Sequence, residues 1–238
     1  MKWWQAGLFL WMAGTIGAGF LYAPLAKKLE EHTRIIYFHI PAAWVSVVAF
    51  GVAGLYGARY LWRRRPLDDL RSAAAARLGL VFCLLATVTG MLFAKAMWGE
   101  YWNWDPRQVS IFFLILVYGA YLTLRAAVDD PERRARLAAV YALLAFVTVP
   151  FLMFVLPRLS DFTLHPDPIV NRGGKLEMHP RMFGTFLSAT GAFTLLFFWI
   201  WWLDVRAESA VRAAAERERA AREQPQAEEV GLERAARA

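Results

Sequence analysis

Residues 78–124 read LGLVFCLLATVTGMLFAKAMWGEYWNWDPRQVSIFFLILVYGAYLTL: two apolar segments of about twenty residues flanking a short polar stretch crowded with rings. Each apolar segment is long enough to cross a hydrocarbon layer about 30 Å thick as a helix. The stretch between them, Trp98-Gly99-Glu100-Tyr101-Trp102-Asn103-Trp104-Asp105-Pro106-Arg107, is too polar to be part of either span. The chain therefore crosses, emerges and crosses back, with four aromatic rings at the edge of the layer.

The same test applied outward finds four more windows. The six are roughly 4–23, 41–62, 78–97, 109–127, 137–156 and 182–203, which predicts an all-α polytopic membrane protein. Its membrane domain is a six-helix bundle over 1–203, with the ring-rich segment between helices 3 and 4. The composition agrees: the 238 residues are 58% hydrophobic and 15% aromatic, and the charges are gathered between the windows. Met1-Lys2 and Tyr22-Ala23-Pro24-Leu25-Ala26 resemble parts of a cleaved leader. Trp3 and Trp4 precede a run longer than a leader's apolar core, so this window reads as a retained helix. Residues 204–238, rich in Ala, Glu and Arg, form a charged tail. The pairs Glu208/Arg212, Arg212/Glu216 and Glu218/Arg222 support a solvated helix, with disorder expected beyond Gln224-Pro225.

Lysine and arginine set the orientation. With six spans, most of the 27 basic residues fall on one side, in Lys2, Arg59, the 63–77 and 125–136 loops and the tail. That side, with both termini, is expected to be cytoplasmic, and the Trp-rich segment faces outward. Basic residues beside spans are explained by topology and anionic lipid, which argues against a nucleic-acid partner. No phosphate-binding glycine loop is present, which argues against ATP-driven chemistry within the chain. Cys83, the only cysteine, excludes an internal disulfide, a Cys-x-x-Cys pair and a covalent Cys-x-x-Cys-His haem site.

All four histidines, His32, His39, His165 and His179, lie in the outward segments 24–40 and 157–181. The ring-rich run is either an interfacial belt or a platform for a flat apolar ligand. Were 98–105 helical, Trp98, Tyr101 and Trp102 would share one face with Asp105 close by. Asp105-Pro106-Arg107-Gln108 reads as a helix start, with Asp105 as N-cap, proline at N1 and Gln108 completing a capping box. Arg107 sits in a first turn, where the helix dipole disfavours a cation, so it suits either a ligand carboxylate or lipid headgroups. Lys95 reads as a snorkelling residue at a span end. Pro41 suits the first turn of helix 2, which places His39 just outside that helix. Neutral imidazoles ligate metals, and an iron macrocycle takes one from each side. His39 and His165 read either as such a pair or as solvated interfacial side chains, and His179 before Pro180 is an alternative ligand.

These residues carry a resemblance. Trp98–Arg107 resembles the tryptophan-rich signature of the haem-handling family of cytochrome c maturation. Tyr37-Phe38-His39-Ile40-Pro41-Ala42-Ala43-Trp44 is similar to the segment around the first histidine of its CcmC branch, and Thr163-Leu164-His165 to the second. The resemblance covers about 1–203. It implies a multi-pass protein of the bacterial inner membrane with the Trp-rich segment periplasmic. It also implies b-type, non-covalent haem held against Trp98, Tyr101, Trp102, Trp104, Asp105 and Arg107, with His39 and His165 as axial ligands to iron. The implied activity is presentation and delivery of haem rather than enzymic catalysis. The implied partners are a CcmE-type haem chaperone, a CcmD-type small membrane subunit and a CcmA/CcmB ABC transporter pair. One rival is a b-type electron-transfer subunit of a quinol-oxidising complex, which would carry its histidines on helices inside the bundle. Another is a small-solute transporter, which would carry midplane charges; 109–124 and 182–203 have none. Gly14, Gly17, Gly19 and Gly90 read as sites of close helix packing.

Overall fold

In the computed structural model the described residues are 3–27, 29–160, 163–165 and 178–236, with side chains to 222. Helix α1 spans Trp3–Leu21, and a 3₁₀ turn, Glu30–Ile35, leads directly into α2, Ile36–Arg63. The chain continues through α3, Pro66–Trp98; α4, Pro106–Ala127; and α5, Pro131–Pro150. A π-helical turn, Phe151–Val155, and the single turn α6, Leu156–Leu159, extend α5. Helix α7 runs Pro180–Ala236. Among the described residues there is no strand. Five helical stretches of the described residues are long and apolar enough to cross a membrane. Helix α1, opened by Trp3, Trp4 and Gln5 and diluted by four glycines, is the sixth window of the sequence and is not among the five.

The helix boundaries follow local chemistry. Proline stands at N1 of α3, α4 and α5, where its missing N–H costs nothing. Asp105 and Asp130 cap α4 and α5 by accepting from the N–H groups of Arg107 and Arg133 at 2.9 and 2.6 Å. Gly99 closes α3 in the left-handed region, φ 83°, with its N–H on Lys95 O. The expected 63–77 and 125–136 loops are far shorter than the composition suggested. The α2–α3 link is Arg64-Arg65 alone, and 128–130 join α4 to α5. Helix α3 overruns its window because Ala73–Ala76 are strong helix formers and are buried against the bundle. The backbone of α7 stays helical to Ala236, past the point where disorder was expected, and the Glu208–Arg212 and Glu218–Arg222 pairs support it at i,i+4 spacing.

The core is built on small residues. Phe50 of α2 stacks on Tyr118 of α4, centroids 3.5 Å apart, inside a shell of alanines from α3 and α5. A methyl on Gly57 would stand 3.0 Å from Ala139 O, so α2 and α5 touch backbone to backbone. At the arginine-rich end, Arg125 grips Asp69 with two bonds of 2.6 and 3.1 Å, and Arg77 ties α3 to Asp204 and Glu208 of α7 at 2.9 and 2.8 Å. Helix α1 lies outside the bundle. Its Trp11 and Thr15 meet Ser188 of α7, each at 2.8 Å, and Arg34 closes its last turn by donating to Gly19 O and Phe20 O.

Candidate functional site

At the opposite end from the arginine-rich one, the last three turns of α3, the first turns of α2 and α4 and the segment Thr163–His165 come together. Asp105 is the hub. It is almost fully buried, and its two oxygens take four contacts. Oδ1 accepts the N–H of Arg107 at 2.9 Å and faces His165 Nδ1 at 2.8 Å. Oδ2 accepts the Thr163 hydroxyl at 2.8 Å and the Leu164 N–H at 2.7 Å. A carboxylate has about four lone-pair sites; three accept donors and the fourth faces the His165 ring. The capping reading of Asp105 holds, but the box does not close: Gln108 Oε1 accepts from Asn103 N–H at 2.8 Å instead. One residue thus caps α4 and fastens the segment that bears the second histidine.

The His165 ring lies 5.3 Å from the Trp98 indole at a tilt of 57°. Its Nδ1 faces the carboxylate off the N–H axis, so the contact is short but not straight. Burial pushes the ring down to about 4, against the pull of Asp105, with Arg107 and His39 adding to the fall; His165 is therefore a neutral imidazole at neutral pH. Burial works to raise Asp105, but the Arg107 N–H, the His165 ring, the Thr163 hydroxyl and the Leu164 N–H outweigh it and hold the carboxyl below its ordinary range.

His39 is not outside helix 2. The helix begins at Ile36, with Pro41 inside it, because the 3₁₀ turn before it supplies the entry that Pro41 was expected to mark. The ring is set against α3: Nδ1 is 3.1 Å from Thr89 Oγ1, with Ala86 O a further acceptor beside it. Thr89 lies nine residues before Trp98, about 14 Å along the axis, so His39 is deeper than the interface. A methyl on Gly90 would come within 2.8 Å of His39 Cε1. Gly90 is indeed a close-packing glycine, and what packs on it is an imidazole. Thr89 and Gly90 were missed as site residues; the only signal was a glycine beside a threonine in an otherwise apolar span.

The rings do not form a single helical ledge. Helix α3 ends at Trp98, and 99–105 are irregular. Trp98 packs edge-on to Phe93 and beside His165. Trp102 packs against Phe112 of α4 and, edge to face, against Trp104. Trp104 is 68% exposed and held at φ 55°, a conformation that costs a non-glycine residue about 1 kcal/mol or more. Tyr101 is half exposed beneath the Lys95 ammonium, which also holds Gly99 O at 2.6 Å. Arg107 is near enough for its charge to act on the His165 ring. His32 is exposed, and His179 is exposed with Nδ1 accepting the Arg181 N–H at 3.2 Å, a cap for α7. Residues 161, 162 and 166–177, on either side of His165, lie outside those described.

The donor set fits a planar metal macrocycle. It comprises imidazoles from two hairpins whose Nδ1 atoms face Thr89 Oγ1 and Asp105 Oδ1, indole surface beside one of them, and a guanidinium within electrostatic range. Among the described residues no cluster of three or more His, Cys, Asp or Glu side chains could hold a bare ion.

A family model described as "Heme exporter protein C" matches residues 1–220. Relatives bearing that name are 37% identical over 175 residues in Bradyrhizobium diazoefficiens, covering 74% of this chain and 66% of that one. In Rhodobacter capsulatus the identity is 32% over 147 residues, 62% and 61% of the two chains. In Escherichia coli K12 it is 34% over 139 residues, 57% and 56%. The chain thus spans a little under two thirds of the first two relatives' length.

Proposed function

The chain belongs to the heme exporter protein C family, and from that membership we propose that it binds haem at the Trp-rich end of its bundle and delivers it to a periplasmic acceptor in cytochrome c maturation. The observation that carries this reading is the His165 ring beside Trp98, with His39, from a different hairpin, near enough for its charge to act on that ring. In this reading haem is cargo. His39 and His165 supply Nε2 to its iron, Trp98, Tyr101, Trp102 and Trp104 cover its ring, Asp105 holds the second histidine and Arg107 meets a propionate. The haem is b-type and non-covalent, and the protein is a delivery component rather than an enzyme. It spans the bacterial inner membrane six times, α1 included, with both termini cytoplasmic and the Trp-rich end periplasmic. Its partners are a CcmE-type chaperone, a CcmD-type subunit and a CcmA/CcmB pair.

The irregular 99–105 segment supports delivery. Exposed rings at a bundle's rim let a flat ligand leave sideways, without passing through packed helices. The test is the absorption spectrum of the purified protein, with and without His39→Ala or His165→Ala. A low-spin spectrum that either replacement converts to high-spin is expected; an unaltered spectrum in both variants refutes the assignment. The position of His39 within α2 also favours a second reading, an electron-transfer subunit oxidising quinol. That reading requires reduction of the bound haem by quinol, whereas delivery does not.

A further inference from the structure

Both histidines present Nδ1 to a protein acceptor, and the acceptors differ in kind. For His39 the acceptors are neutral, the Thr89 hydroxyl and Ala86 O beside it. Thr89 Oγ1 donates its own hydrogen to Leu85 O at 2.7 Å, so toward His39 Nδ1 at 3.1 Å it is left as an acceptor. For His165 the acceptor is a carboxylate, Asp105, at 2.8 Å. That carboxylate is nearly inaccessible to water and pinned by three further donors.

We propose that Thr89 and Asp105 are positioning residues that set both rings in the Nδ1–H form and make the two ligands unequal, with His165 the strong one and His39 the one exchanged first. The inference rests on the reading of His39 and His165 as ligands. A proton on Nδ1 leaves the Nε2 lone pair for iron. An acceptor at Nδ1–H raises the electron density at Nε2, and an anionic acceptor raises it more than a neutral hydroxyl does. Asp105 therefore strengthens the iron bond of His165, while Thr89 orients His39 and adds little to its donor strength. On delivery, the bond from iron to His39 Nε2 breaks and a neutral electron-pair donor of the acceptor replaces it. One lone pair leaves iron and one arrives, and neither an electron nor a proton moves.

Position supports the same order. His165 is fastened through Asp105, Thr163 and Leu164 to the cap of α4. The His39 ring is held by the 3.1 Å contact with Thr89, by Ala86 O beside it and by the wall that Gly90 provides.

The test uses the full chain loaded with hemin in detergent, and it begins with His39→Ala and His165→Ala in the native Asp105 background. Reduced, each variant has five-coordinate iron on the one remaining histidine, and resonance Raman reads the iron–histidine stretch. The frequency is expected to be higher in His39→Ala, where the ligand is backed by carboxylate, than in His165→Ala. Adding Asp105→Asn to His39→Ala should lower it, and Asp105→Asn alone should release hemin to apomyoglobin 10- to 100-fold faster. Thr89→Val should speed release several-fold less than Asp105→Asn does, with Thr89→Ser restoring the native rate. Equal frequencies in the two single variants overturn the proposal without touching the ligand assignment, and this comparison needs no change at Asp105. A native low-spin spectrum in both single variants overturns the ligand assignment itself.

Discussion

Gly90→Ala isolates the deepest contact of the site. The added methyl would stand 2.8 Å from His39 Cε1 and 3.4 Å from Nδ1, where carbon atoms need about 3.5–4.0 Å. The ring must then retreat by roughly 1 Å, which breaks or lengthens the 3.1 Å contact with Thr89. Overpacking of this size costs about 1–3 kcal/mol, while replacing glycine by alanine inside a helix returns about 1 kcal/mol. Net stability should fall by at most about 2 kcal/mol, so the variant folds. Hemin affinity should fall by an order of magnitude or more, since 1.4 kcal/mol is a factor of ten. Hemin titration followed by Soret absorbance, beside thermal unfolding, separates the two effects. Gly119→Ala, which meets nothing within 4 Å, is the matched control and should bind hemin normally. Native hemin affinity and a native low-spin spectrum in Gly90→Ala would refute the placement of His39 against α3.

The remaining expectations concern other parts of the same frame. Asp105→Ala should lower the melting temperature as well as hemin binding, because it strips a cap worth about 1 kcal/mol and orphans the Thr163 and Leu164 donors; unchanged unfolding would contradict its role as hub. Arg125→Met leaves Asp69 buried without its partner and should cost about 3–5 kcal/mol, with Arg125→Met/Asp69→Leu recovering most of it, as read by thermal unfolding. The His165 ring, pushed down to about 4, should stay neutral through pH 5 in the haem-free protein, as read by nitrogen NMR. Because the folded value lies below the ordinary one, its contribution to stability is complete above pH 6.5 and is lost as pH falls toward 4. Trp98→Leu should perturb that titration and hemin binding, whereas Trp104→Leu, at an exposed and strained position, should leave the titration unchanged.

Periodicity and length made the apolar segments legible, because a span must be long and nearly free of charge whatever it packs against. Asp130-Pro131 and Asp105-Pro106 were legible for an equally local reason: cap and proline act within a single turn. The helix ends were harder. Ala73–Ala76 and the arginines around them suit a helix as well as a loop, and with the four alanines buried against the bundle α3 starts at Pro66 rather than near 78. His39 was misplaced by reading Pro41 as a first-turn residue, when a 3₁₀ turn from Glu30 had already begun the helix. The site suffered most from its long-range character. Nothing near Asp105 in the chain announces that its second oxygen serves Thr163 and Leu164, 58 and 59 residues away. Nor does Thr89, in the middle of an apolar span, announce a histidine 50 residues earlier.

The most direct test of the account is an experimental structure of the full chain loaded with haem. The account requires Nε2 of His39 and Nε2 of His165 on opposite faces of the iron, the Nδ1 of each directed at Thr89 and Asp105, and Trp98 against the macrocycle. Iron held by His32 or His179, or a haem lodged away from the α3–α4 turn, would contradict it.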